Sequence, residues 1–247
     1  MISTSLAVAL IALVGALVQG MSGFGFGLVC MALLPLLVPM DQAVPLVGAW
    51  GWTVNLVILL RLRGHLEWRR VAPMVGGAVI GIPLGIAFLR GADPTLVRAV
   101  LGLVIVSYSG MSLVGGAPAA RTRPFSDGWG LLAGALGGAL GGAFNTSGPP
   151  VIVYVSLKGW PKDLATASLQ AFFVFSSTFA VAGFASVGMY SPQVVRVLLP
   201  VFPLVWLGTW LGGRIYDRVP QERFRTLVLA LLLVLGLSFL WHAVRGG

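Results

Sequence analysis

Apolar residues run in long unbroken blocks along the chain, and charged residues and turn formers fall between the blocks. The blocks cover approximately 5–38, 42–61, 71–89, 96–114, 128–157, 164–186, 194–213 and 224–243. A helix needs roughly 20 apolar residues to cross a bilayer, and most blocks have that length. They do not alternate apolar with polar, which excludes a transmembrane β-barrel. A backbone inside lipid must satisfy its own hydrogen bonds, so all eight blocks are predicted helical. The first and fifth are longer than the rest, and each is broken in its middle. The first break is Gly20-Met21-Ser22-Gly23-Phe24-Gly25-Phe26-Gly27, and the second is Asn145-Thr146-Ser147-Gly148-Pro149-Pro150.

One broken block followed by three plain ones occurs twice. Asp41 opens the second block and Asp163 opens the sixth, 122 residues later. Gly81-x-x-x-Gly85 recurs as Gly208-x-x-x-Gly212, and Arg98 as Arg225, both 127 residues on. A few residues of loop insertion account for the drift. The pattern predicts a single transmembrane domain over 1–247, with repeat one at 1–114, a linker at 115–127 and repeat two at 128–247.

Basic residues test the topology. If all eight blocks simply cross, the 16 Lys and Arg residues divide evenly between the two sides. If blocks one and five are instead re-entrant hairpins, the balance changes. Then Arg61, Arg63, Arg69, Arg70, Arg121, Arg123, Lys158, Lys162, Arg214, Arg218, Arg223 and Arg225 share one face, against Arg90, Arg98, Arg196 and Arg245 on the other. Basic loops stay cytoplasmic, so the second arrangement is favoured. Each half then makes three crossings plus a hairpin, and the halves are inverted. The expected fold is an all-α integral membrane protein of two inverted repeats, each a broken, re-entrant helical hairpin plus three transmembrane helices. Inverted repeats whose broken helices meet near mid-membrane are a transporter architecture.

Composition removes other classes. The chain is 57% hydrophobic and 9% charged, with a mean hydropathy of +0.96. That is too few polar side chains to cover a water-facing surface. A net charge of +9 would suggest nucleic acid, but the charges sit in short loops where they set topology, so no nucleic acid is expected. The single cysteine, Cys30, excludes an internal disulfide and a cysteine-based metal cluster and is read as packing. The segment from Met1 to Gln19 has no basic residue before its apolar run, so it is read as retained rather than as a cleaved signal.

A helix that restarts after a break points unpaired N–H groups and a positive dipole end at the membrane interior, which suits an anion. In the second break, Ser or Thr can cap and proline can open the new helix. The glycines of the first break let backbone approach a ligand. The expected site therefore takes Ser22, Gly23 and Gly25 from the first break and Asn145, Thr146, Ser147 and Gly148 from the second. Asn55, Gln170 and Ser177 add polar groups at span depth, where they line paths or join helices. No ionisable residue is placed centrally in any span, so the anion would be held by neutral donors, with no metal and no cofactor. Gly134-x-x-x-Gly138-x-x-x-Gly142 is read as helix packing. Trp50 and Trp52 are read as filling, and Asp41 and Asp163 as helix caps. Gly20-Met21-Ser22-Gly23 matches the Gly-x-Ser-Gly of intramembrane serine proteases, but both histidines, His65 and His242, lie at span ends, out of reach as a base. An intramembrane hydrolase or a non-transporting structural protein are the alternatives to a transporter.

The string Gly20-x-x-Gly23-x-Gly25-x-Gly27, the stretch Asn145-Thr-Ser-Gly-Pro-Pro with Tyr154 after it, and the loop Gly159-Trp-Pro-Lys-Asp163 resemble the TauE/SafE family of sulfite-exporter-like permeases over essentially the whole chain. The resemblance implies movement of small sulfur oxyanions or organosulfonates, across a prokaryotic plasma (inner) membrane. The partners expected are thus a small anion and the lipid bilayer. The oligomeric state stays open, a homo-oligomer included. With the cell interior negative, each exported negative charge gains roughly 2.3 kcal/mol per 100 mV, which favours export.

Overall fold

The computed structural model describes residues 2–114, 126–215 and 221–244. All but the last two residues of the expected linker 115–127 lie outside them, as do Met1, Arg121, Arg123, Arg218, Arg245 and Gly247. Ten α-helices are described: α1 Ile2–Ser22, α2 Phe26–Leu33, α3 Met40–Leu62, α4 Trp68–Gly91, α5 Pro94–Val114, α6 Gly128–Phe144, α7 Gly148–Lys158, α8 Lys162–Ser186, α9 Pro192–Ile215 and α10 Gln221–Val244. The described residues contain no strand. Among the described residues, six helices (α1, α3, α4, α5, α8 and α9) are long and apolar enough to cross a membrane. The chain is an all-α, multi-pass membrane protein.

Both long blocks fold back on themselves. Phe26 and Cys30 of α2 pack on Gly15 of α1, and Cys30 also reaches the Ile11 carbonyl, an antiparallel register. In the second, Val151 of α7 lies over Gly137 of α6 and Tyr154 over Gly130. The returning legs have 8 and 11 residues, or about 12 and 16 Å at 1.5 Å per residue. Neither can span about 30 Å of hydrocarbon, so each returns only part of the way. The breaks are narrower than the sequence suggests. Helix α1 continues through Gly20 to Ser22, because Gly20 is a packing residue whose Cα lies against the Thr209 carbonyl of α9. Gly23–Gly25 and Asn145–Ser147 are all that remain non-helical.

The glycine faces decide the helix pairs. Gly77, Gly81 and Gly85 of α4 meet the carbonyls of Leu131, Ala135 and Ala139 of α6 so closely that a Cβ would overlap each of them. Gly208 and Gly212 of α9 meet Leu13 and Leu17 of α1 in the same way. Both pairs run parallel, residue number rising together. By contrast α5 runs antiparallel to α10, with Gly102 against Gly236 and Phe239, and α3 antiparallel to α8, with Trp52 bonded to Thr178 and Gly48 beside Phe184. Small residues let helix backbones approach where hydrophobic driving force is missing.

Two local expectations change. Asp41 and Asp163 are not caps: Pro39 and Pro161 hold the N-cap positions without a side-chain bond, and each aspartate stands in the first helical turn. There a carboxylate favours the helix dipole instead. Ser147 holds the N-cap position of α7, but its hydroxyl does not cap; it bonds Ser176. Trp50 is fully buried and donates to the Leu198 carbonyl at 3.0 Å.

Candidate functional site

The two hairpin tips meet against the middle of α3. Phe26 lies on Gly51, the central residue of α3, while the Asn145 amide lies over Gly48. A Cβ on Gly27 would overlap the Asn145 carbonyl, so only glycine lets the two breaks touch. Between them is a pocket of about 50 Å³. One water needs about 10–15 Å³ on this scale, so there is room for about three to five small groups, the size of a small oxyanion.

Of the residues expected at the site, Gly25, Asn55, Asn145, Thr146, Ser147, Gly148 and Ser177 line this pocket. Ser22, Gly23 and Gln170 do not line it. The Ser22 hydroxyl lies 2.8 Å from the Val18 carbonyl and 2.5 Å from the Phe24 carbonyl, tied into the turn it belongs to. Gly23, in left-handed backbone at φ 79°, accepts a hydrogen bond at its carbonyl from Gln170 Nε2 at 2.5 Å. Gln19, Gly27 and Ser176 also line the pocket, although the polar pattern did not single them out as ligands. Gln19 stands inside α1, where sequence shows only a lone amide near a helix end.

The breaks are held by matching contacts. Asn145 Nδ2 donates to the Val44 carbonyl at 2.7 Å and fills the space above Gly48. In the other half Gln170 Nε2 donates to the Gly23 carbonyl, and the space above Gly23 is bordered by Thr166. Adding 122 to 23, 44 and 48 gives 145, 166 and 170. The long amide and the glycine have traded places between the halves, so one amide side chain ties each break to its neighbouring helix.

The donors available to a ligand are neutral. Thr146 is 2% exposed, and its hydroxyl has no hydrogen-bond partner among the described residues. Ser147 and Ser176 share a bond of 3.1 Å, and Ser177 donates to the Phe173 carbonyl of its own helix. The lining contains no charged side chain. Phe24, Phe26 and Phe173 close the rest of the pocket. Dry walls strengthen each remaining polar contact. No group of His, Cys, Asp and Glu among the described residues could hold a metal. His65 stands beside the exposed Asp163 at 3.9 Å; the His242 side chain is outside the described residues.

Tyr154, part of the motif after the second break, is not at the pocket. It packs edge-on to Trp160 at the open end of the second hairpin, where Lys158 reaches Asp127 at 2.5 Å and Arg70 stacks on Trp160.

A family model described as sulfite exporter TauE/SafE matches residues 7–239. The chain is 27% identical over 183 residues, 73% of its length, to a protein of Comamonas testosteroni named as a probable inner membrane transporter protein, TsaS, of which 75% is covered. No solved structure matches.

Proposed function

The chain belongs to the sulfite exporter TauE/SafE family of membrane transporters, and from that premise we propose that it exports a small anion, a sulfur oxyanion or organosulfonate such as sulfite. The observation that carries this reading is the pocket of about 50 Å³ where the hairpin tips meet, lined by N–H, amide and hydroxyl groups and by no charged side chain. Neutral donors stabilise an anion without neutralising it, so the charge crosses with the substrate.

The two halves act as inverted repeats. The trade of glycine and amide across a constant offset of 122 supports this. So does the exchange of packing partners, α1 on α9 and α6 on α4, each pair parallel. Alternation of α3, α4 and α5 makes α6 run opposite to α1, and it collects the basic chain ends of α3, α7 and α9 on one face. Rocking one repeat against the other would then expose the pocket to each side in turn.

Flux in proteoliposomes tests the proposal. An imposed potential should move sulfite toward the positive side and reverse with the potential, since each charge is worth roughly 2.3 kcal/mol per 100 mV. No flux of any small oxyanion, or flux that follows a proton gradient at clamped potential, would overturn it.

A further inference from the structure

One hydrogen bond at the first break sets the polarity of the wall beyond it. The Phe26 N–H opens α2 and meets Gln19 Oε1 at 2.9 Å. A backbone N–H can only donate, so the Gln19 atom facing it is the carbonyl oxygen. The Gln19 NH2 group therefore faces Asn55, and it bonds Asn55 Oδ1. Asn55 is left with its own NH2 on the free side. Asn55 is 8% exposed, it lines the pocket, and its nitrogen has no acceptor among the described residues. The relay thus presents a donor and hides an acceptor.

Other donors converge on the same space. The N–H groups of Gly27 and Leu28 have no acceptor among the described residues, and both residues line the pocket. They belong to the first turn of α2, whose N–H groups have no partner within the helix. The buried, unpartnered Thr146 hydroxyl comes from the opposite break. The first turn of α7 offers much less, because Pro149 and Pro150 carry no N–H.

We propose that the pocket holds a multi-oxygen anion mainly against the first hairpin, through the Gly27 and Leu28 N–H groups, the Asn55 amide and the Thr146 hydroxyl, and that Gln19 is the positioning residue that keeps Asn55 a donor. The inference rests on the anion reading above and sharpens it. The donors stand on three elements, so an anion with several oxygens can bridge them and a single-atom halide cannot.

Binding to purified full-length protein tests it, with sulfate, methanesulfonate and chloride as probes at pH 4 to 8. The oxyanions stay ionised in this range, and no titratable group lines the pocket, so wild-type affinity should be flat with pH. Asn55→Ala should weaken oxyanion binding more than tenfold. Gln19→Leu should weaken it too, and the double variant should be no weaker than Asn55→Ala, because the effect of Gln19 on the bound anion runs through Asn55. Gln19→Glu is the sharpest variant. An ionised carboxylate can take the Phe26 N–H but cannot donate to Asn55, so Asn55 turns its NH2 toward it and presents oxygen to the pocket. Binding should be lost at pH 8 and return at low pH, where the protonated acid can again donate. Gln19→Glu binding that matches wild type at every pH, additive losses in the double variant, or chloride bound as tightly as sulfate would overturn the relay while leaving an anion site. Failure of wild type to bind any oxyanion would overturn the anion reading itself, and this inference with it.

Discussion

Replacing Asn145 separates two forces that hold the second break. Asn145 is the one non-glycine residue with positive φ among the described residues, at φ 51°, and its side chain donates to the Val44 carbonyl at 2.7 Å. Asn145→Gly keeps the left-handed backbone and deletes the bond. Asn145→Ala deletes the bond and also forces an ordinary L-residue into that backbone. The bond is worth about 0.5–1.5 kcal/mol, and glycine adds an entropic cost of about 0.5–1 kcal/mol. Left-handed backbone costs alanine about 1–2 kcal/mol. Asn145→Gly should therefore lose about 1–2.5 kcal/mol, and Asn145→Ala about 1 kcal/mol more than that. Asn145→Asp keeps the local preference for this backbone but sets a carboxylate oxygen against the Val44 carbonyl, with no cation lining the pocket to offset it. It should be the least stable of the three. Unfolding in a graded denaturing detergent, read by tryptophan fluorescence, gives the order. Alanine as stable as glycine would mean the break does not enforce its backbone. Aspartate as stable as wild type would mean the amide nitrogen is not what faces Val44.

Three further outcomes follow from packing and charge placement. Gly81→Ala should abolish folding or expression, because its Cβ would overlap the Ala135 carbonyl, whereas Gly110→Ala, with nothing within 4 Å, should be tolerated or stabilise α5 by up to about 1 kcal/mol, as thermal unfolding would show. Cysteines placed at Gly64 and Gly91, both in open space, should react with impermeant thiol reagent from opposite faces of the membrane, Gly64→Cys from the cytoplasm, while the buried Cys30 stays silent; labelling from one face would remove the alternating topology. Asp41→Asn and Asp163→Asn should leave voltage-driven flux in place, since both side chains stand in first turns away from the pocket lining; loss of flux in either would identify a proton carrier.

Much of the architecture is legible in the chain itself because membrane folds are written in local terms. A block of apolar residues must be a helix, whatever it packs against, since lipid offers the backbone no hydrogen bonds. Gly-rich and Pro-rich interruptions can occur inside such a block only where protein shelters them. That is why the two breaks, the glycine faces of α4 and α9 and the bias of basic residues could be read without coordinates. The breaks also pointed to Asn145, Thr146 and Ser147, and polarity at span depth pointed to Asn55; the fold gathers all four around one pocket.

Tertiary structure decided what each polar group does there, because an amide's role depends on the atom opposite it. Gln170 looked like a ligand, yet its amide nitrogen bonds the Gly23 carbonyl instead. Ser22 lies in the break but turns to backbone carbonyls of its own segment. Gln19 is a lone amide in an apolar helix until α3 brings Asn55 alongside and the fold-back of α2 brings the Phe26 N–H. Residues 19, 26 and 55 share no spacing that sequence periodicity could reveal. Their meeting depends on how far the first hairpin folds back, and hydrogen-bond polarity then leaves Asn55 only one way to face.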